Sequence, residues 1–239
     1  MVKVVVLVPF YSDGCEWREG SWDVVSRHIH RNHPSWDIHT SHVRPSGRFF
    51  PIAKARNDCA RRAGDWDVAV FWDADTLAHP DCVREAVVAA QDSPLVQWLA
   101  SDAQIYMDEL STDRFLKGNM IFPYPRGNRM APFGKEGIYR RPCSGIYAVH
   151  RELWTATGGF VESLPGNDSH EDLVFLQMCR IFGDGTQWIQ GMQLHLWHPP
   201  APRTLGLNHR LWQELARINK RDVAQNMLQQ TYKHKIPWQ

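Results

Sequence analysis

The chain has 239 residues, 43% hydrophobic, 22% charged and 11% aromatic, enough to bury one sizeable core without disulfide or metal staples. Twenty-seven basic against twenty-six acidic side chains leave a net charge of +1, which excludes a globally basic nucleic-acid binder and an acidic tail protein. Five scattered cysteines with no C-x-x-C pair predict reduced thiols and a cytoplasmic protein, and the longest early apolar run, residues 4–8, is too short for a signal core or a membrane span.

Residues 2–8 (V-K-V-V-V-L-V) read as a buried β-branched strand ended by Pro9. Over 16–32, Trp17, Val24, Val25, His28 and Ile29 recur at mostly three- and four-residue steps, which predicts an amphipathic helix stopped by Pro34. A weakly alternating strand over 36–43, a helix over 53–63, a short apolar strand over 68–72, a helix over 81–91 and a strand over 95–100 follow. This alternation predicts an α/β fold with a central, mostly parallel, Rossmann-like sheet flanked by helices. From 101 to 142 the periodicity gives way to glycine, proline, aromatic and arginine residues, as in a lid or a binding loop. Regular structure resumes with a strand over 146–149, a helix over 171–182 and a strand over 193–197. A helix over the tail, 205–232, closes the chain, with Leu207, Leu211, Leu215, Ile218 and Val223 at helical spacing. The whole is read as one domain: a nucleotide-binding half over 1–100, an acceptor and metal half over 101–200, and a C-terminal helical tail over 203–239.

The segment from Asp67 to Asp75 (D-V-A-V-F-W-D-A-D) carries the most information. An apolar strand delivers Asp73 and Asp75 to its carboxyl end, where open α/β sheets bind ligands, and paired hard oxygen ligands there suit a divalent cation that bridges a diphosphate. Alone, such a triplet is also an ordinary solvated turn. Three further segments fall in order around it: Val8-Pro9-Phe10-Tyr11 at the end of the first strand, Ala53-Lys54-Ala55-Arg56-Asn57, and Gly158-Gly159-Phe160-Val161-Glu162 followed by Glu171-Asp172-Leu173-Val174-Phe175. Together these four segments resemble the GT-A fold glycosyltransferases with a D-x-D motif, family-2-like and nucleotide-sugar dependent, over most of the chain from Val4 to about Pro199.

The resemblance implies that Pro9, Phe10 and Tyr11 hold the nucleotide base and that Arg56 and Asn57 face the donor nucleotide, Arg56 offsetting phosphate or positioning Asp73. It implies Asp75 as the direct metal ligand, with Asp73 at the metal or turned to the ribose. Glu171 and Asp172 open a predicted helix, whose N-terminus favours negative charge. By resemblance to the inverting members Asp172 is the general base, and Glu171 lies near the acceptor or donor sugar. His195-Leu-Trp-His198-Pro-Pro completes the set. The two histidines are three apart and share no face of a straight strand, but Pro199 favours a bend, and similar family members use this point to complete the metal's coordination. Imidazole among the ligands favours Mn2+ over Mg2+.

Eleven tryptophans stand out in the composition; most fit core packing, and a minority near the D-x-D, the 101–142 loop and His198 suits stacking on sugar rings. Arg114, Lys117, Arg126, Arg129, Lys135, Arg140 and Arg141 make the loop basic and aromatic, a place for acceptor recognition. The expected activity is transfer of a sugar from a nucleotide-diphosphate sugar, UDP-linked, to an acceptor hydroxyl. The acceptor stays open between a glycan, a glycoconjugate and a hydroxylated base in DNA. The glycine-rich signature with which a nucleotidyltransferase would grip a triphosphate is absent after Val8. A non-catalytic nucleotide-sugar or glycan binding module remains the alternative from another class.

Overall fold

A computed structural model of the chain describes residues 2–12, 14–45, 50–118, 138–163, 170–199 and 207–234. Among these, ten strands and eight helices run in chain order: β1 Val4–Val8, α1 Glu16–Asn32, β2 Asp37–Thr40, α2 Ile52–Ala63, β3 Val68–Trp72, β4 Thr76–Ala78, α3 Pro80–Asp92, β5 Gln97–Leu99, β6 Ala103–Tyr106, α4 Glu109–Leu116, β7 Ile138–Arg140, β8 Ile146–His150, α5 Arg151–Thr157, α6 Glu171–Phe182, β9 Thr186–Trp188, β10 Met192–His195, α7 Leu207–Arg217 and α8 Arg221–Tyr232.

The main sheet has the order β2-β1-β3-β8-β5-β9. Five of its strands share one direction, and β8 alone runs against both its neighbours, β3 and β5. The run of β-branched residues in β1 and β3 follows from burial on both faces. Val6, Val8, Val68, Val70 and Trp72 point to one side and pack with Val25 and Ile29 of α1 and Val83 and Val87 of α3. Val5, Leu7, Ala69 and Phe71 point to the other and pack with Cys59 of α2, Leu153 of α5 and Phe175 of α6. Helices therefore cover both faces, as the alternation predicts.

A second sheet, order β4-β10-β6-β7, was not foreseen in the sequence. It draws β6 and β7 from the segment read as an irregular loop, which also contributes α4; residues 119–137, with Arg126, Arg129 and Lys135, lie outside the described residues. The single C-terminal helix is likewise corrected to two. Arg180 of α6 donates to the carbonyls of Leu215 (2.9 Å), in the last turn of α7, and Ile218 (3.0 Å), just beyond it, at the break before α8 begins. Leu211 and Leu215 of α7 and Ala224 and Leu228 of α8 then pack on Val174, Met178 and Phe182 of α6. No disulfide joins the five cysteines. Among the described residues no helix is long and apolar enough to cross a membrane.

Candidate active site

The turn between β3 and β4 carries Asp73 and Asp75. It is closed by the amide of Thr76 donating to the Asp73 carbonyl (3.0 Å) and by the Trp72 indole donating to the Thr76 carbonyl (2.7 Å). β4 pairs antiparallel with β10, so that Thr76 lies opposite His195, and the amide of Leu196 donates to the Asp75 carbonyl (2.7 Å). This pairing brings the histidines to the aspartate. His195 Nε2 lies 3.6 Å from Asp75 Oδ1, and His198 Nε2, where the chain has left the strand, lies 3.2 Å from Asp75 Oδ2. His198 Nδ1 is 2.9 Å from the Pro199 carbonyl oxygen, which as a pure acceptor places a proton on Nδ1 and leaves Nε2 for the aspartate side. Tyr106 of β6 stacks on the His195 ring at 4.7 Å.

Donor atoms of Asp75, His195 and His198 all lie within 4.8 Å of one another. Burial pushes the Asp75 carboxyl up, but His195 and His198 outweigh it and hold Asp75 well below the usual carboxylate range. Burial pulls His195 down, whereas His198, also buried, is raised by its hydrogen bond to Asp75. One carboxylate and two imidazoles presented at this spacing, one imidazole fixed through its far nitrogen, are a donor set that fits a borderline divalent cation such as Mn2+.

Asp73 faces the other way. Its Oδ1 accepts from Arg56 Nη2 (2.9 Å) and its Oδ2 from the Gly145 amide (3.1 Å), so both oxygens are engaged away from the Asp75 cluster. Arg56, on α2 and 1% exposed, also bonds Asp172 Oδ1 and lies 3.5 Å from Glu171 Oε1, with its guanidinium 5.0 Å above the Phe160 ring. One buried cation thus faces three carboxylates. Burial, added to by Asp172, pushes Glu171 well above its ordinary value despite Arg56. Burial also lifts Asp73 to about 6, against the pull of Arg56. The crowding of negative charge favours the protonated form of these acids, most strongly at Glu171.

Asn57 is spent on structure. Its amide donates to the Phe160 carbonyl (2.8 Å) and to Glu162 Oε1 (2.8 Å), and its oxygen accepts from the Phe160 amide (2.9 Å). It clamps the glycine turn: at Gly159, with φ +77°, an added Cβ would lie 2.8 Å from Asn57 Oδ1 and 2.7 Å from the Trp154 ring. Pro9, Phe10 and Tyr11 leave the carboxyl end of β1, where Phe10 stacks on Trp22 (5.5 Å) and Tyr11 on Phe50 (6.3 Å). Sequence reasoning missed Tyr106 and Gly145, which touch the site through strand pairing and a backbone bond; no local pattern marks either. The tryptophans near the site are largely packed: Trp197 meets Trp17 edge-on at 4.9 Å, and Trp188 donates to the Pro142 carbonyl.

A sheet of this order, helices on both faces, and a carboxylate turn at the end of β3 met by a histidine strand define the GT-A glycosyltransferase fold. The chain superposes on a β1,4-galactosyltransferase 7 from Drosophila, in a structure with manganese, UDP-Gal and xylobiose, with TM-score 0.54 and 15% identity over 93% of this chain and 84% of that one. A second structure, of that enzyme's catalytic domain with xylobiose, gives TM-score 0.54 and 14% identity over the same shares. GalNAc-T7, solved with UDP, GalNAc and Mn2+, gives TM-score 0.53 and 10% identity over 90% of this chain and 48% of that one. At these identities the likeness shows the fold. The chain matches no family model and no curated protein.

Proposed function

We propose that the chain is a divalent-metal-dependent glycosyltransferase that moves a sugar from a UDP-linked donor to an acceptor hydroxyl, with inversion. The observation that carries this reading is the convergence of Asp75 with His195 and His198, which follow it by 120 residues or more in sequence, at the carboxyl end of β3 and beside the Arg56 carboxylate cluster. The manganese and UDP-Gal held by the Drosophila galactosyltransferase of the same fold support the cofactor and donor class.

Asp75, His195 and His198 are the residues that would hold Mn2+, or less favourably Mg2+; a dication there supplies positive charge against that building on the departing diphosphate. Pro9, Phe10 and Tyr11 border the place for the nucleotide base. Asp73, fixed on both oxygens, lines the donor side of the turn, and Arg56 and Asn57 act as positioning residues behind it. Asp172 gives Oδ1 to Arg56, which orients Oδ2 to accept the acceptor hydroxyl's proton as its oxygen attacks the anomeric carbon. Glu171, whose carboxyl burial pushes well up, serves as the acid that donates a hydrogen bond to a sugar hydroxyl. That division makes Asp172 the base in preference to Glu171. We read the chain as one domain in which the elements up to β5 serve the donor nucleotide and those after it the acceptor and the metal. The acceptor is a saccharide or another small hydroxylated molecule. The basic residues that prompted a DNA-base acceptor lie partly outside the described residues, and two of the described ones are engaged elsewhere: Lys117 with Asp113 (2.8 Å) and Arg141 over Trp188 (5.5 Å).

Incubation with UDP-sugars and Mn2+, without acceptor, tests the reading. Slow UDP release that EDTA or Asp75→Ala abolishes is expected. Silence across UDP-glucose, UDP-galactose and their N-acetyl forms would overturn it.

A further inference from the structure

A cleft of about 610 Å³ opens between α2, the 158–163 turn and the carboxyl end of α8. It is separate from the Asp75 cluster, and the proposed reaction uses none of its polar groups except Asn57. Its volume falls within the range of small-molecule sites.

The chemistry of its walls selects among ligands. Trp154, Phe160 and Tyr232 supply aromatic surface. Glu162 spends Oε1 on Asn57 and Arg61 (2.7 Å), which cancels the Arg61 charge locally. His234 is 7% exposed; its Nε2 lies 2.9 Å from the Thr157 carbonyl oxygen, a pure acceptor, so Nε2 carries the proton and Nδ1 presents a lone pair. Burial pulls His234 below the ordinary imidazole value and keeps it neutral. Lys233, exposed beside it, sits at φ +54°, a left-handed conformation that few non-glycine residues adopt, and turns the chain into the cleft wall.

The cleft therefore combines aromatic faces, hydrogen-bond acceptors for O–H donors and one ammonium donor, and with Arg61 and Glu162 paired its net charge is the single positive charge of Lys233. An anion pairs with Lys233 alone and faces the Glu162 carboxylate and an imidazole lone pair, and an apolar ligand strands all the polar groups. A neutral polyhydroxylated ring satisfies them together.

We propose that this cleft is a saccharide-binding site, distinct from the site of transfer. Asn57 and Phe160 form the wall between the two: Asn57 follows Arg56 in the chain, and the Phe160 ring lies under the Arg56 guanidinium. An occupant thus abuts the residues that position Asp73 and Asp172, where a remote unit of a longer glycan would add binding energy without entering the chemistry. The binding itself does not rest on the glycosyltransferase reading.

The test is saturation-transfer NMR on the intact chain in EDTA, without donor, using cellobiose, maltose, lactose and xylobiose, with inorganic phosphate and glycerol as controls. Millimolar binding of at least one disaccharide is expected. Lys233→Gly, which relieves the left-handed backbone while removing the amine, and Tyr232→Ala each weaken it about tenfold, the scale of one lost charged hydrogen bond or ring contact. The thermal midpoint of Lys233→Gly does not fall, and its UDP release is unchanged. No saturation transfer from any disaccharide, equal binding by both variants and wild type, or competition by phosphate would each overturn the proposal. Because metal and donor are absent, failure here is separate from failure of the UDP-release assay.

Discussion

Arg56 and Asp172 are hydrogen-bonded across 116 residues of chain, guanidinium Nη1 to carboxylate Oδ1, in the interior between α2 and the first turn of α6. The same guanidinium holds Asp73 at the end of β3, so one buried side chain ties the donor turn to the proposed base. Stability and chemistry converge on it.

Removing that cation strands three partly buried carboxylates. Arg56→Ala is expected to cost about 3–5 kcal/mol, the scale of breaking a buried ion pair by deleting one partner. Urea unfolding at neutral pH measures it. Adding Asp172→Asn, which removes the carboxylate bonded to Arg56, restores part of the loss; a double variant no more stable than Arg56→Ala would refute the charge-balance account.

Metal affinity should follow the three convergent ligands and ignore Asp73. Manganese binding, read by the loss of the free-ion EPR signal, is expected to weaken about tenfold to a hundredfold or more in Asp75→Asn and His198→Ala, since replacing even outer-shell partners costs that much. Asp73→Asn, whose oxygens serve Arg56 and Gly145, is expected to change it by less than about threefold. Equal losses at Asp73 and Asp75 would place Asp73 among the ligands.

The two acids that open α6 are expected to separate kinetically. Asp172→Asn keeps the shape and the Arg56 contact but removes the base, and should lower kcat for transfer by about 10²–10⁴ while leaving UDP and Mn2+ affinity intact. Glu171→Gln, which imitates the protonated acid, should cost far less. Single-turnover transfer with the acceptor in excess distinguishes them, and a larger loss at Glu171 would reverse the assignment.

Two histidines remote from the site should lower stability in mild acid. Burial pushes His28 and His33 down to about 4, with Arg31 and His79 near the first and Arg84 near the second acting in the same direction. Both rings pack on Trp72 at 6.1 Å, and His33 also stacks on Trp36 at 4.0 Å. The unfolded chain takes up protons near 6.5 that the folded one refuses until about 4. Their contribution is fully present above about pH 6.5 and is lost as pH falls from there towards 4. The raised carboxyls of Asp73 and Glu171 act in the opposite sense over the same window, so the histidine contribution is read by difference: the thermal midpoint of wild type should fall relative to that of His33→Phe, which keeps a ring but cannot titrate.

Local pattern alone was enough for β1, α1, α2, β3 and α6, whose limits agree with the predicted ones to within two residues, because each has a period or a run that only one element type buries well. The D-A-D turn was legible for the same reason: an apolar strand must end before two carboxylates. The short strands β4, β6, β7 and β9 were not, since three or four residues carry too little pattern and form only because a neighbour offers an edge.

The amino-acid sequence by itself determined a β-α alternation, a carboxylate turn at the end of a buried strand, and an acidic pair opening a helix, since all three are set by neighbours a few residues apart. Only the tertiary structure decided that β4 pairs with β10 and lays His195 and His198 against Asp75, that Arg56 faces Asp73, Glu171 and Asp172 at once, and that the C-terminal helix breaks in two where Arg180 meets it. The physical reason is range. Strand register and buried ion pairs join residues far apart in sequence, and their geometry exists only after two sheets and three helices have packed together.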